Sequence, residues 1–243
     1  MTIAGRFGAA LDDADTPELR GPELLPVRLA RACAHTLQVD GAGLSLVDPA
    51  QQRVPLGASS EEAATAERLQ FTVGAGPCTD AQQTRQPVFA VEDELRRRWP
   101  VFTDLLLGAT SYRAVVALPL QPALVGAGAI DLYFRASADV PGLDVFEALA
   151  VGELVSSAPS DASVWSSWSP ADGPEWLQGP APRRRATVWE AMGTIGVDLE
   201  VDAPAALDLL RAAALSGGRT TEEVAADLLA GRVRAVDLLP REA

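Results

Sequence analysis

Apolar residues along this chain recur first at helical spacing and then in alternation. Leu25, Leu29, Ala32, Cys33, Thr36 and Leu37 fall three and four apart after Gly21-Pro22. That spacing predicts an amphipathic helix, stopped by the turn pair Asp40-Gly41. Ala42, Leu44 and Leu46 then alternate with Gly43, Ser45 and Val47, which predicts a strand, and residues 54–58 suit its hairpin partner. Ser59 and Glu62 have capping-box spacing and predict a short helix to about Leu69. Gly74, Gly76 and Pro77 interrupt the chain before a second short helix over 78–84. A short strand is expected over 88–91, and a helix over 92–107 broken at Trp99-Pro100. Two longer strands over 113–120 and 127–134 follow, then a helix over 145–155. Residues 1–20 show no clear period and are expected to be loose.

These strands are joined by short turns more than by regular crossover helices. The reading is α+β, an antiparallel sheet with packed helices. Residues 156–181 change character: Ser, Pro, Gly and Asp dominate, with Trp165, Trp168 and Trp176 among them. This is expected to be a linker whose tryptophans dock on a domain or a partner subunit. Beyond it, Val188, Ala191, Met192 and Ile195 form one stripe. Asp202 caps a second helix carrying Ala206, Leu209, Leu210, Ala213 and Ala214 inward, and Gly217-Gly218 ends it. Thr220 and Glu223 form a capping box ahead of Val224, Ala225, Leu228 and Leu229. Three short helices predict a small bundle. The expected organisation is a loose 1–20, a domain over 21–155, a linker over 156–181 and a helical domain over 182–243.

Composition narrows the function. The net charge is −13, and all twenty basic residues are Arg. Residues 181–243 hold eight Arg and ten acids, a net of −2, so the acidity is concentrated before them. No apolar run is long enough to span a membrane, and the first residues do not resemble a signal peptide. The expectation is a cytoplasmic protein with no membrane partner. Two cysteines, Cys33 and Cys78, and one histidine, His35, make neither a zinc set nor a disulfide framework. Residues two apart on a helix do not face each other, so Cys33 and His35 form no dyad. No Walker-type loop is present, and the carboxylates are scattered. No enzymatic activity, metal or cofactor is expected.

Two clusters remain open. The glycines of the 74–78 turn allow backbone paths closed to other residues, and such a turn either lines a ligand cavity or simply reverses the chain. Arg183, Arg184 and Arg185 stand near a helix N-terminus, against the macrodipole. Phosphate contact would offset that cost, and a solvated charge run is the plainer reading.

Taken together, Asp40-Gly41-Ala42-Gly43, Leu69-Gln70, Gly74 to Cys78, Trp99-Pro100, Leu118-Pro119-Leu120 and the strand around Ile130-Asp131 resemble a GAF domain, a small-molecule sensor module. The region beyond residue 182 is similar to an ANTAR domain, the RNA-binding module of transcription antiterminators. Ala191 and Gly193, then Ala206, Leu210, Arg211 and Ala214, then Glu223 and Ala225 carry that similarity in order. Met192 departs from the basic residue many members have there, and Leu207 from a common aromatic. The resemblance implies a homodimeric, signal-responsive regulator that binds paired RNA hairpins in nascent transcripts. It implies Arg183, Arg184, Arg185, Arg211, Arg219 and Arg232 as candidate RNA contacts. Ala191, Gly193, Ala206, Leu210, Ala214 and Ala225 would be structural motif positions. Gln70, Gly74, Gly76 and Cys78 would line the pocket of an unknown small-molecule ligand. Two alternatives stand beside it: a dimeric sensor whose helices no longer bind RNA, and a cysteine-based enzyme such as a sulfoxide reductase, which would need cooperating thiols.

Overall fold

The computed structural model describes residues 2–47, 53–123, 126–165 and 174–240, with the backbone alone described at 121–123, 126–127 and 159–165. Helix α1 (Ile3–Asp13) opens the chain, with Thr2 Oγ1 accepting from the Gly5 amide. The pattern over residues 1–20 predicts a loose segment. Phe7 and Ala10, one helical turn apart, are instead buried in the main core, with Ile3 and Leu11 packed beside them. Helix α2 (Leu25–Leu37) buries its stripe, including Leu29, Ala32 and Cys33, in the same core and ends at Gln38 in the left-handed region.

Strands β1 (Gly41–Val47) and β2 (Arg53–Ala58) form the hairpin. Helix α3 (Glu61–Val73) runs four residues beyond its expected end. Its cap is Ser60, which accepts from the Ala63 amide. Ser59 instead accepts from the Ala42 amide, and Glu62 from Ser111. Next come α4 (Pro77–Thr84), β3 (Val88–Ala90), α5 (Glu92–Arg98) and α6 (Pro100–Ala109), with the break at Trp99-Pro100. Pro100 lacks the amide needed to continue a helix but suits the first turn of a new one. Strands β4 (Ala114–Ala123) and β5 (Gly126–Phe134) complete a five-stranded sheet of order β2-β1-β5-β4-β3. All its pairings are antiparallel, so the fold is α+β with helices packed on the sheet.

Alternation divides this sheet's faces. Ala114, Val116, Leu118, Ile130, Leu132 and Phe134 face α1, α2 and α7 (Val145–Trp165). Val115, Ala117 and Tyr133 face α3 to α6. A sheet covered on both faces needs inward residues at every strand position, which matches the near-continuous apolar run of β4.

Helix α7 extends into the expected linker as far as Trp165. Trp168 lies outside the described residues. Trp176, on a 3-10 turn over Glu175–Gln178, is buried in the α1-α2-α7 core. The expected linker thus carries helix up to Trp165 and a 3-10 turn over Glu175–Gln178. Helices α8 (Pro180–Leu199), α9 (Ala203–Ser216) and α10 (Thr221–Leu229) pack on one another around Val188, Ala191, Ile195, Leu210 and Ala225. Asp202 caps α9, and Thr220 with Glu223 forms a capping box on α10. Phe71 of α3 sits in this same cluster, so the helices and the sheet domain share a core.

Candidate functional site

The interior site is a polar cluster between the sheet and α3. Asp131 and Tyr133 project from β5 and Ser45 from β1, on the face opposite Cys33. Glu67 and Gln70, three apart on α3, reach down from above. Gly43 pairs with Asp131 across the ladder. Its missing side chain makes the room for Glu67, because a Cβ there would lie 2.3 Å from Glu67 Oε1.

Arg53, the first residue of β2, fills the centre. Its Nη2 donates to Glu67 Oε2 at 2.5 Å and to Asp131 Oδ2 at 3.2 Å, and its Nε donates to Ser45 Oγ at 3.1 Å. The Tyr133 hydroxyl donates to Glu67 Oε1 at 2.6 Å. Gln70 Nε2 donates to Asp131 Oδ2 at 2.9 Å, while its Oε1 accepts the Cys78 amide at 2.8 Å. Tyr133 stacks on Tyr112 with ring centroids 4.8 Å apart.

Two carboxyl groups thus share one guanidinium in the interior. Burial pushes the Asp131 carboxyl well above the usual carboxylate range, and the charge of Glu67 pushes it further. The arrangement is an Arg53–Glu67 ion pair beside a carboxyl group whose surroundings favour its neutral form. Burial also raises the Tyr133 hydroxyl and the Cys78 thiol. The Cys33 thiol is pushed up to about 12 by burial alone. Cys33 sits in the α1-α2-α7 core, whereas Cys78 lies 3.4 Å from Ser45 Oγ on the other face. The sheet therefore separates two thiols that are both held protonated.

Of the expected pocket residues, Gln70, Gly76 and Cys78 come together here. A Cβ on Gly76 would lie 2.4 Å from the Gln70 side chain, so that glycine is needed for close packing. Gly74 stands apart: it ends α3 at φ 76° and lies under Arg211. Sequence reasoning missed Arg53, Glu67 and Tyr133. A signal was present in Asp131, a carboxylate in the middle of an apolar strand.

A second constellation joins the sheet domain to the terminal helices. Arg185 is only 1% exposed. Its Nη1 donates to the Arg53 carbonyl at 2.8 Å, and its Nη2 donates to Glu222 Oε1 at 2.8 Å. The guanidinium lies 3.1 Å from the centroid of Phe71 and 5.9 Å from that of Trp189. Desolvation lowers its pKa to about 10, so it remains charged at neutral pH. Arg211 Nε donates to the Phe71 carbonyl at 3.2 Å. Thr221 donates through its amide and hydroxyl to Thr72 Oγ1.

The six candidate RNA contacts therefore do not form one surface. Arg185 is sealed inside, and in this arrangement it cannot touch RNA. Arg211 is half-buried against Phe71. Arg219 and Arg232 both pair with Asp227. Arg183 and Arg184 are exposed and make no ion pair among the described residues. Ala191, Ala206, Leu210, Ala214 and Ala225 are fully buried, whereas Gly193 faces open space. Met192 is also buried, so that position points into the helical core, where a basic residue would lose its hydration. Leu207 packs against the same core.

Among the described residues no acidic, His and Cys side chains are grouped to hold a metal, and no helix is long and apolar enough to cross a membrane. No family profile and no curated protein matches the chain. Solved structures similar to it include the GAF domain of a phosphoenolpyruvate-protein phosphotransferase from Acinetobacter, at 9% identity and TM-score 0.43, covering 68% of this chain and 97% of that one. The corresponding GAF domain from Coxiella burnetii is 14% identical with TM-score 0.40, covering 66% and 98%. A third is the photoproduct state of GAF3 from Slr1393 of Synechocystis, at 15% identity and TM-score 0.37, covering 68% and 100%. At these identities and scores the functional reading rests on the chain's own residues.

Proposed function

We propose that the chain is a signal-responsive RNA-binding regulator of transcription antitermination, in which a GAF-like sensor domain holds ANTAR-like helices in check. The carrying observation is Arg185. It belongs to the run expected to meet RNA, yet it is buried between Glu222, Phe71 and the Arg53 carbonyl. The arrangement is then a held state. Release of the helices from α3 and β2 would return Arg185 and Arg211 to solvent, beside Arg183 and Arg184. RNA loops are read by stacking and hydrogen bonding, for which guanidinium groups are suited. The active form is a homodimer, and light scattering at micromolar concentration should give twice the monomer mass. The reading assigns no catalytic step: both thiols are protonated and separated, which is unfavourable for a nucleophile.

The test is titration of a double-hairpin RNA at two salt concentrations, using the wild type, Phe71→Ala and Arg183→Ala/Arg184→Ala. Phe71→Ala loosens the hold and should tighten hairpin binding at least tenfold. The double variant should weaken binding and flatten the salt dependence by about one unit for each phosphate that its missing guanidinium groups had neutralised. If neither the wild type nor Phe71→Ala prefers hairpins to a single strand, the RNA reading fails. The pairing of Arg219 and Arg232 with Asp227 would then favour a sensor or interaction protein without RNA affinity.

A further inference from the structure

A cleft of about 220 Å³ opens where β2, α2 and α3 meet the start of α8. It borders the interior cluster, with which it shares Glu67, while the cluster itself is filled by the chain's own side chains. Val27, Pro55 and Ala181 contribute apolar wall, and Arg31, Arg184 and Glu222 contribute charge. Three further charged residues at the cleft are already matched. Arg68 pairs with Glu61, and Glu67 pairs with Arg53. Arg31 and Arg184 are exposed and have no counter-charge among the described residues, in a protein of net charge −13. The first turn of the twenty-residue helix α8 borders the same space and has no side-chain cap, which adds positive potential.

Glu222 supplies the complementary feature. It is 8% exposed, and its Oε1 accepts from Arg185. Its Oε2 is buried with no hydrogen-bond partner. A buried carboxylate oxygen without a donor is costly, and a ligand donor would relieve it. The cleft thus presents two guanidinium groups for anions, with apolar wall between, and one of its lining residues, Glu222, carries a buried oxygen that still lacks a donor. Its volume is below the roughly 300–1,000 Å³ of sites for drug-sized compounds.

We propose that this cleft is a binding site for a small amino-acid-like anion. Carboxylates of the ligand meet Arg31 and Arg184, and its ammonium donates to Glu222 Oε2. Because Glu222 also positions Arg185, which donates to the Arg53 carbonyl, occupancy bears through Arg185 on the contact between the helices and β2. The site itself stands on its lining residues, and only the consequence of occupancy rests on the gated-regulator reading.

The test is isothermal titration of the full chain with L-glutamate, succinate and butylamine as probes. L-Glutamate should bind saturably, succinate several-fold more weakly for lack of a donor, and butylamine not at all. Arg31→Ala and Arg184→Ala should each weaken L-glutamate at least tenfold without changing the thermal midpoint, since both side chains are exposed. Ala181→Phe should fill the cleft and abolish binding. Absence of binding by L-glutamate, equal binding by butylamine, or binding that survives Ala181→Phe overturns the proposal. A chain that binds L-glutamate but no hairpin RNA keeps the site and loses the RNA reading. The reverse result loses the site alone.

Discussion

Arg185 of α8 donates through Nη1 to the main-chain carbonyl of Arg53 at 2.8 Å, across 132 positions of sequence. Arg53 in turn sends its own side chain into the interior of the sheet domain, to Glu67, Asp131 and Ser45. One residue of β2 therefore touches the interior cluster with its side chain and the terminal helices with its backbone. Anything that shifts the Arg53 side chain bears on the Arg185 hydrogen bond through a single peptide unit.

The Arg185–Glu222 pair should be strongly coupled. Removing one partner of a buried ion pair leaves the other charged and unpaired, at a cost of about 3–5 kcal/mol. Arg185→Met should lose that much stability in urea denaturation. Arg185→Met/Glu222→Leu should recover most of it, because two apolar groups replace two charges. Additive losses in this cycle would show that the two residues do not act as a pair.

The shared core predicts cooperative melting. Phe71 lies among the buried residues of the α8-α10 cluster, and Arg185 and Arg211 both engage it. The wild type should show one calorimetric transition. Phe71→Ala removes a buried aromatic, at about 3–5 kcal/mol, and should split the peak into an early helical transition and a later sheet-domain transition. Leu210→Asp should bring the helical transition down furthest, since Leu210 is fully buried. Two transitions in the wild type would contradict the shared-core account.

Asp131 sets a pH dependence of definite sign. Its folded-state pKa is raised by burial and by Glu67, so the native state holds a proton the unfolded chain has released. Stability from this group is therefore present below about pH 4 and is lost as pH rises through the raised folded value. The loss approaches about 1.4 kcal/mol per pH unit while the native acid stays protonated. Asp131→Asn, which mimics the neutral acid, should remove this slope and stabilise the protein at pH 8 relative to wild type. Urea midpoints between pH 5 and 8 measure the difference. A steeper decline in the variant would refute the assignment.

Thiol reactivity is the simplest check on the interior. Cys33 and Cys78 are both buried, and burial raises both thiols. A chromogenic disulfide reagent at pH 8 should label neither in the native protein and both in denaturant. Rapid native labelling of either would reopen the cysteine-enzyme alternative.

Local patterns and distant contacts differed in how far they could be read. The α2 stripe, the break at Trp99-Pro100 and the capping box at Thr220 are properties of neighbours in sequence, and each stands in the fold where its pattern placed it. Helix α1 was readable too: Ile3, Phe7, Ala10 and Leu11 have helical spacing, blurred by the alanines and glycines between them. Arg185 gave only an ambiguous signal. It precedes Val188 by three and Met192 by seven, but Arg184 precedes Val188 by four and Ala191 by seven, so helical spacing set Arg183 outside the apolar stripe without telling Arg184 from Arg185. Arg53 offered no such clue. Its partners lie 14 and 78 positions away, and only the tertiary fold brings them to a strand end.

Gly74 ends α3 at φ 76°, and a side chain there would place its first carbon 2.8 Å from the Arg211 guanidinium carbon. The two positions should therefore be bound in descent as well as in space. Among relatives that keep this docking, a residue larger than glycine at the position of Gly74 should appear only with a shorter side chain at that of Arg211. A lineage that changes one without the other should have let its helices go free.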